Sequence, residues 1–139
     1  MNWPVFGAVL LLFGSACEAG DGVLEPVWNK QACSHCRMLL SDPRYAAQVL
    51  TEDSERLYFD DIGCMASYLV KHSVRFRRAW VRDEHGSWVD ALRARYRTDA
   101  ATPMGFGYEP SARGSLDFAA VKQRVADQPP THVQVKEAP

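Results

Sequence analysis

Apolar positions along this chain alternate between a spacing of two and a spacing near 3.6, and the switches fall at recognisable turn and cap residues. Arg44 to Thr51 carries Tyr45, Ala47 and Val49 on one face at strand spacing, and Arg56 to Phe59 answers it across Glu52-Asp53-Ser54-Glu55. That pattern predicts an antiparallel hairpin. Asp60-Asp61 then supplies a cap and first-turn acids for a helix running to about His72, with Ile62, Met65 and Leu69 at positions i, i+3 and i+7. The stripe is suited to lie on the hairpin. Arg75 to Arg82 returns as a strand, and His85-Gly86 makes the next turn.

The remainder predicts short strands again and then another helix. Trp88 to Ala91 is one strand, Arg93, Arg95 and Arg97 alternate with Ala94 and Tyr96 in a second, and Met104 to Tyr108 follows Pro103 as a third. A helix from Leu116 to about Val125 is expected under a Ser115 cap. The fold class expected is α+β: two small similar halves, about 30–85 and 86–127, each of short antiparallel strands with one helix. Residues 17–29 read as a polar tether, and residues 128–139 as a flexible, proline-bearing tail.

Length and charge narrow the options. At 139 residues, 47% of them apolar, the chain holds one domain with a real core. Its formal net charge of -1 gives no reason to expect nucleic acid as a partner. Lys71, Arg75, Arg77, Arg78, Arg82, Arg93, Arg95 and Arg97 make a locally basic stretch, best read as a solvated face, with a docking face for an acidic partner as the alternative.

Residues 1–16 contain no charge, and Val5 to Phe13 is an apolar run too short to span a bilayer, ending at Gly14-Ser15-Ala16-Cys17. This is the pattern of a secretory signal peptide. A Cys directly after small residues resembles a bacterial lipobox, which makes Cys17 a candidate for lipidation and places the protein in the periplasm, anchored to a membrane as a lipoprotein. Cleavage near Ala19 is the alternative. Lipidation would leave Cys33, Cys36 and Cys64, an odd number of thiols in an oxidising compartment, so they cannot all pair with one another.

The chemistry concentrates at Cys33-Ser34-His35-Cys36, with a thioether two residues on at Met38. Thiolate and thioether together select soft ions, monovalent copper above all. Met38 shares a face with Cys36 if the backbone between them is extended. His35 reads equally as a ligand or as an exposed residue. Cys64, in the first turn of the expected helix where the dipole favours thiolate, either closes a three-sulfur site or packs as a small hydrophobe. Met104 sits in an exposed turn, where structural and functional readings balance. Asp60 and Asp61 lack a neighbouring nucleophile with an oriented His, so capping is their better reading. No glycine-rich phosphate loop, dinucleotide fingerprint or hydrolytic constellation is present, so the chain reads as a non-enzyme. The rival for the Cys pair is a periplasmic thiol–disulfide oxidoreductase, although the buried strand and long helix that flank such sites are missing around it.

Taken in order, Cys36-Arg37-Met38, Tyr45 to Val49, Phe59-Asp60-Asp61-Ile62-Gly63-Cys64-Met65, Trp88-Val89-Asp90-Ala91 and Thr102-Pro103-Met104-Gly105-Phe106-Gly107 resemble the NosL family of membrane-anchored copper chaperones. The similarity covers residues 30 to 125. It implies binding of Cu(I) and delivery to a periplasmic copper enzyme, nitrous oxide reductase, during assembly of its copper centres. Matched residue by residue, Cys36 and Met38 carry over as metal ligands, and Met104 as a candidate from the second half. Cys33 is an addition to the pattern, and many members carry Gly where Arg37 stands. The full set of candidate metal ligands is therefore Cys33, Cys36, Met38, Cys64 and Met104.

Overall fold

The computed structural model describes residues 20–128. The expected signal peptide, the lipidation candidate Cys17 and residues 129–139 of the tail lie outside them.

The fold is α+β. Strands β1 (Ala47–Thr51), β2 (Arg56–Phe59), β3 (Phe76–Arg82) and β4 (Trp88–Asp90) form one antiparallel sheet in the order β2-β1-β3-β4. Helix α1 (Ile62–Lys71) follows β2; a two-stranded ladder of β5 (Tyr96–Arg97) and β6 (Glu109–Pro110) precedes helix α2 (Phe118–Asp127). The two expected halves are thus unequal, because β4 joins the sheet of the first half and leaves the second with only β5 and β6.

Register sorts the side chains. Ala47 pairs with Phe59 and Val81, and Val49 with Leu57 and Ala79. Directly opposed residues of an antiparallel pair share a face, so these six line one side of the sheet. The apolar stripe of α1, Ile62, Met65, Ala66 and Leu69, is buried with them, and Phe118, Val121 and Val125 of α2 complete the core. All of β1 is buried, as befits a central strand.

The other side of the sheet carries Gln48, Tyr58 and Trp80. Residues 20–28, the described part of the stretch assigned to a tether, run along this face. Gln48 is fully buried there, and its amide is satisfied as a strand neighbour would satisfy it: Leu24 N–H donates to Gln48 Oε1 at 3.1 Å, and Gln48 Nε2 donates to the Leu24 carbonyl at 3.2 Å. Tyr58 Oη also donates to the Leu24 carbonyl. Arg56 donates to the Gly22 carbonyl, and Glu25 receives both Arg82 and the indole N–H of Trp88.

Three local expectations change. The strand expected over Arg93 to Arg97 shortens to Tyr96–Arg97, because Arg93 and Ala94 N–H close a turn on the Asp90 carbonyl. The cap of α2 is Asp117, whose Oδ1 accepts from Ala120 N–H at 2.8 Å, and not Ser115. Leu116 cannot begin the helix because its backbone pairs with Tyr96 in an antiparallel bridge. Met104 to Tyr108 is a turn and not a strand: Gly105 N–H closes on the Thr102 carbonyl, and Gly105 and Gly107 both hold positive φ.

That turn rests on the start of α1. A Cβ at Gly63 would lie 2.0 Å from Phe106 Cγ and 2.3 Å from its Cβ, so only glycine admits the contact. Gly63→Ala should therefore cost about 1–3 kcal/mol through overpacking, read as a lowered midpoint of denaturant unfolding. Phe106→Ala added to it should recover only part of the loss, since the Phe106 Cβ itself stands in the way.

Candidate metal centre

Residues 29–40 double back as a knuckle. Ala32 bridges Leu39, Leu40 N–H donates to the Gln31 carbonyl, Asn29 N–H to the Leu40 carbonyl, and Cys33 N–H to the Met38 carbonyl at 2.7 Å. The tip, Ser34 to Cys36, is closed by Arg37 N–H on the Cys33 carbonyl at 3.1 Å. Closure requires Arg37 to adopt φ of 68°, a left-handed conformation that an L-residue enters at a cost and glycine does not. Buried Leu40 and Cys33 fix the base of the knuckle, and Ser34 N–H donates to the Tyr58 carbonyl at 2.8 Å, pinning the tip to β2.

Beyond Phe59 the chain turns into α1 through two buried carboxyls. Asp61 is the N-cap, and its Oδ1 accepts from Gly63 N–H at 2.8 Å. Its Oδ2 accepts from Met104 N–H at 3.0 Å, and the Thr102 hydroxyl donates to the same carboxylate. Asp60 accepts from Ser41 N–H. Burial raises the pKa of both carboxyls above the usual carboxylate value despite these donors.

This junction and the knuckle bring three thiols together. The sulfurs of Cys33, Cys36 and Cys64 all lie within 4.8 Å of one another. None is in a disulfide; Cys33 and Cys64 are fully buried, and Cys36 is half-buried. Cys33 is the hub. The Cys64 thiol donates to its sulfur, and the backbone N–H groups of Asp60, Cys36 and His35 point at it. The Cys64 bond, with the backbone donors adding to it against the opposing effect of burial, holds the Cys33 thiol down to about 5. Cys64 is pushed far up, first because its proton is committed to Cys33 and then by burial, and Cys36 is raised mainly by burial. The helix-dipole expectation for Cys64 therefore fails: the negative charge at the α1 N-terminus settles on Cys33, where more N–H groups converge.

The thioethers stand differently. Met38 is 55% exposed, and left-handed Arg37 breaks the extended backbone that would have aligned it with Cys36. Met104 is half-buried against the core, held by its own N–H on Asp61. His35 is half-buried at the tip and contributes its backbone N–H to Cys33. The part sequence reasoning missed is Asp60, whose contribution is a backbone donor to a sulfur 27 positions earlier; no side-chain pattern signals that.

Such a site holds one thiolate and two thiols at neutral pH, a soft, partly ionised donor set with one sulfur at the surface. Ultraviolet thiolate absorbance of the metal-free reduced protein should show one step in the acid range, around pH 5, absent from Cys33→Ser. Cys64→Ala should move that step up towards the ordinary thiol range. A single alkaline transition for all the thiols would show that Cys33 holds no such charge.

No protein-family model and no curated protein matches this chain. Among solved structures, the fold is similar to the crystal structure of the copper chaperone NosL from Shewanella denitrificans, at 13% identity and a TM-score of 0.57, over 84% of this chain and 95% of that one. The chain therefore has a NosL-like fold.

Proposed function

We propose that this protein is an exported Cu(I) chaperone that carries one ion on Cys33, Cys36 and Cys64 and surrenders it to a periplasmic copper enzyme. The observation that carries this reading is the mutual 4.8 Å approach of three free sulfurs, two buried and one half-exposed. Sulfur donors select a soft ion, and a three-donor site suits Cu(I), whereas structural zinc requires a fourth protein ligand. The NosL-like fold supports the same direction.

The arrangement fits carriage better than storage. The buried pair retains the ion, while Cys36 leaves one side open to an incoming donor. Met38, exposed on the same knuckle, offers a thioether as a weak intermediate ligand during transfer, and Met104, tied to the start of α1, is the candidate donor from the second half. Burial around the site and the nearby carboxyls of Asp60 and Asp61 favour adding a cation to a cluster that already bears negative charge. Attachment through a lipidated Cys17 would keep the carrier at the membrane, and nitrous oxide reductase, whose copper centres need assembly, is the acceptor proposed.

Anaerobic titration with Cu(I) against a chromophoric chelator tests this reading. The reduced parent should bind one equivalent. Cys33→Ser, Cys36→Ser and Cys64→Ser should each weaken binding by about 100-fold or more, and Met38→Ala by no more than about tenfold, with transfer to the acceptor slowed. A parent that fails to compete with the chelator would overturn the reading, and equal, large losses with Met38→Ala would replace the three-thiol site by a Cys–Met one.

A further inference from the structure

The donors that suit a soft cation also compose a dithiol, and the structure sorts their roles. Cys33 and Cys36 lie at the two ends of one tight turn, with sulfurs within 4.8 Å. Cys36 lies inside the turn that the Ala32–Leu39 bridge closes and two residues past Ser34, whose N–H is tied to the Tyr58 carbonyl, so closing the sulfurs to the roughly 2 Å of a disulfide requires movement of the Cys36 side of the tip and not of the sheet. Access divides the three. Cys36 is half-exposed, and Cys33 and Cys64 have no exposed surface. Three backbone N–H groups converge on Cys33, an environment that suits a nucleophilic sulfur. Cys64 lies in the first turn of α1, held by the helix and not by a movable loop.

We propose that this chain also performs thiol–disulfide exchange, with Cys36 as the sulfur that meets an external disulfide and buried Cys33 as the sulfur that resolves it. The Cys36 thiol gives up its proton to solvent as its sulfur attacks one sulfur of the external disulfide, whose S–S bond breaks; a mixed disulfide forms on Cys36 and one thiolate departs. The Cys33 thiolate then attacks Cys36 Sγ, breaks the mixed disulfide and expels the second thiolate. The Cys33 and Cys36 sulfurs together lose two electrons and become one disulfide, one external disulfide is reduced to two thiols, and of the two protons those thiols carry one comes from Cys36 and one from solvent. The order of access is set by burial: an external disulfide cannot reach Cys33 first. An internal Cys33–Cys36 bond removes two of three donors, so exchange and metal binding exclude each other. That last clause rests on the copper reading above, and the exchange itself does not.

The test uses glutathione disulfide on the purified, reduced, metal-free protein without oxygen, with products mapped by mass spectrometry. The parent should end with one Cys33–Cys36 disulfide and Cys64 free. Cys33→Ser should accumulate a glutathione adduct on Cys36, and Cys36→Ser should form an adduct on Cys33 at least about tenfold more slowly. Parent protein preloaded with Cu(I) should resist the reagent. A disulfide that uses Cys64, or a parent that remains fully reduced, overturns the proposal, and neither readout needs a substituted chain to fold. Unchanged oxidation of copper-loaded protein overturns the mutual exclusion. A parent that forms the disulfide but binds no Cu(I) keeps exchange and loses the copper reading; one that binds Cu(I) tightly and ignores glutathione disulfide does the reverse.

Discussion

A single buried carboxylate holds the working end of this molecule together. Asp61 accepts from Gly63 at the start of α1, from Met104 in the turn that follows β5, and from the Thr102 hydroxyl. Its neighbour Asp60 turns its own N–H towards Cys33 and its carboxylate towards Ser41. Three segments remote in sequence therefore meet at one two-residue junction between β2 and α1. Removing the Asp61 carboxylate would leave buried N–H donors without partners, and each such loss costs about 1–3 kcal/mol. Gly63 belongs to the same constraint, because the turn can sit on the helix only where a side chain is missing.

The sulfur cluster is an electrostatic consequence of that junction. Three thiols this close cannot all ionise without a cation, so one takes the charge and the others keep their protons. The charge goes to the sulfur that collects the most donors. A soft monovalent cation, or the loss of two electrons to a disulfide, relieves the same crowding in different ways. In both, Cys36 is the sulfur an incoming partner can reach and Cys33 the buried sulfur behind it.

The sheet and α1 were legible because their signals are local: the alternation of Ala47, Val49, Leu57 and Phe59, and the Asp61 cap ahead of the Ile62, Met65 and Leu69 stripe. The second half was less so, since Leu116 is helical by composition but is taken into a bridge with Tyr96, and the glycines at 105 and 107 bend a segment that reads as a strand. At the candidate site, the clustering of soft donors was visible, and so was the idea that Cys64 could join Cys33 and Cys36. What lay beyond reach were backbone facts: the left-handed Arg37 that turns Met38 away from alignment with Cys36, and the N–H of Asp60 that makes Cys33 the charged sulfur.

The segment across the outer face of the sheet gives the molecule a polarity. Gly22 is held by Arg56 and Asp21 by Arg77, at the end of the sheet where β1 turns into β2. Glu25 is held by Arg82 and Trp88, at the opposite end, beside which the knuckle begins. The chain thus enters the domain at one pole and delivers its sulfurs at the other. Anything that grips the protein upstream of residue 20 holds it by its base and leaves the pole of the half-exposed Cys36 turned away from the grip.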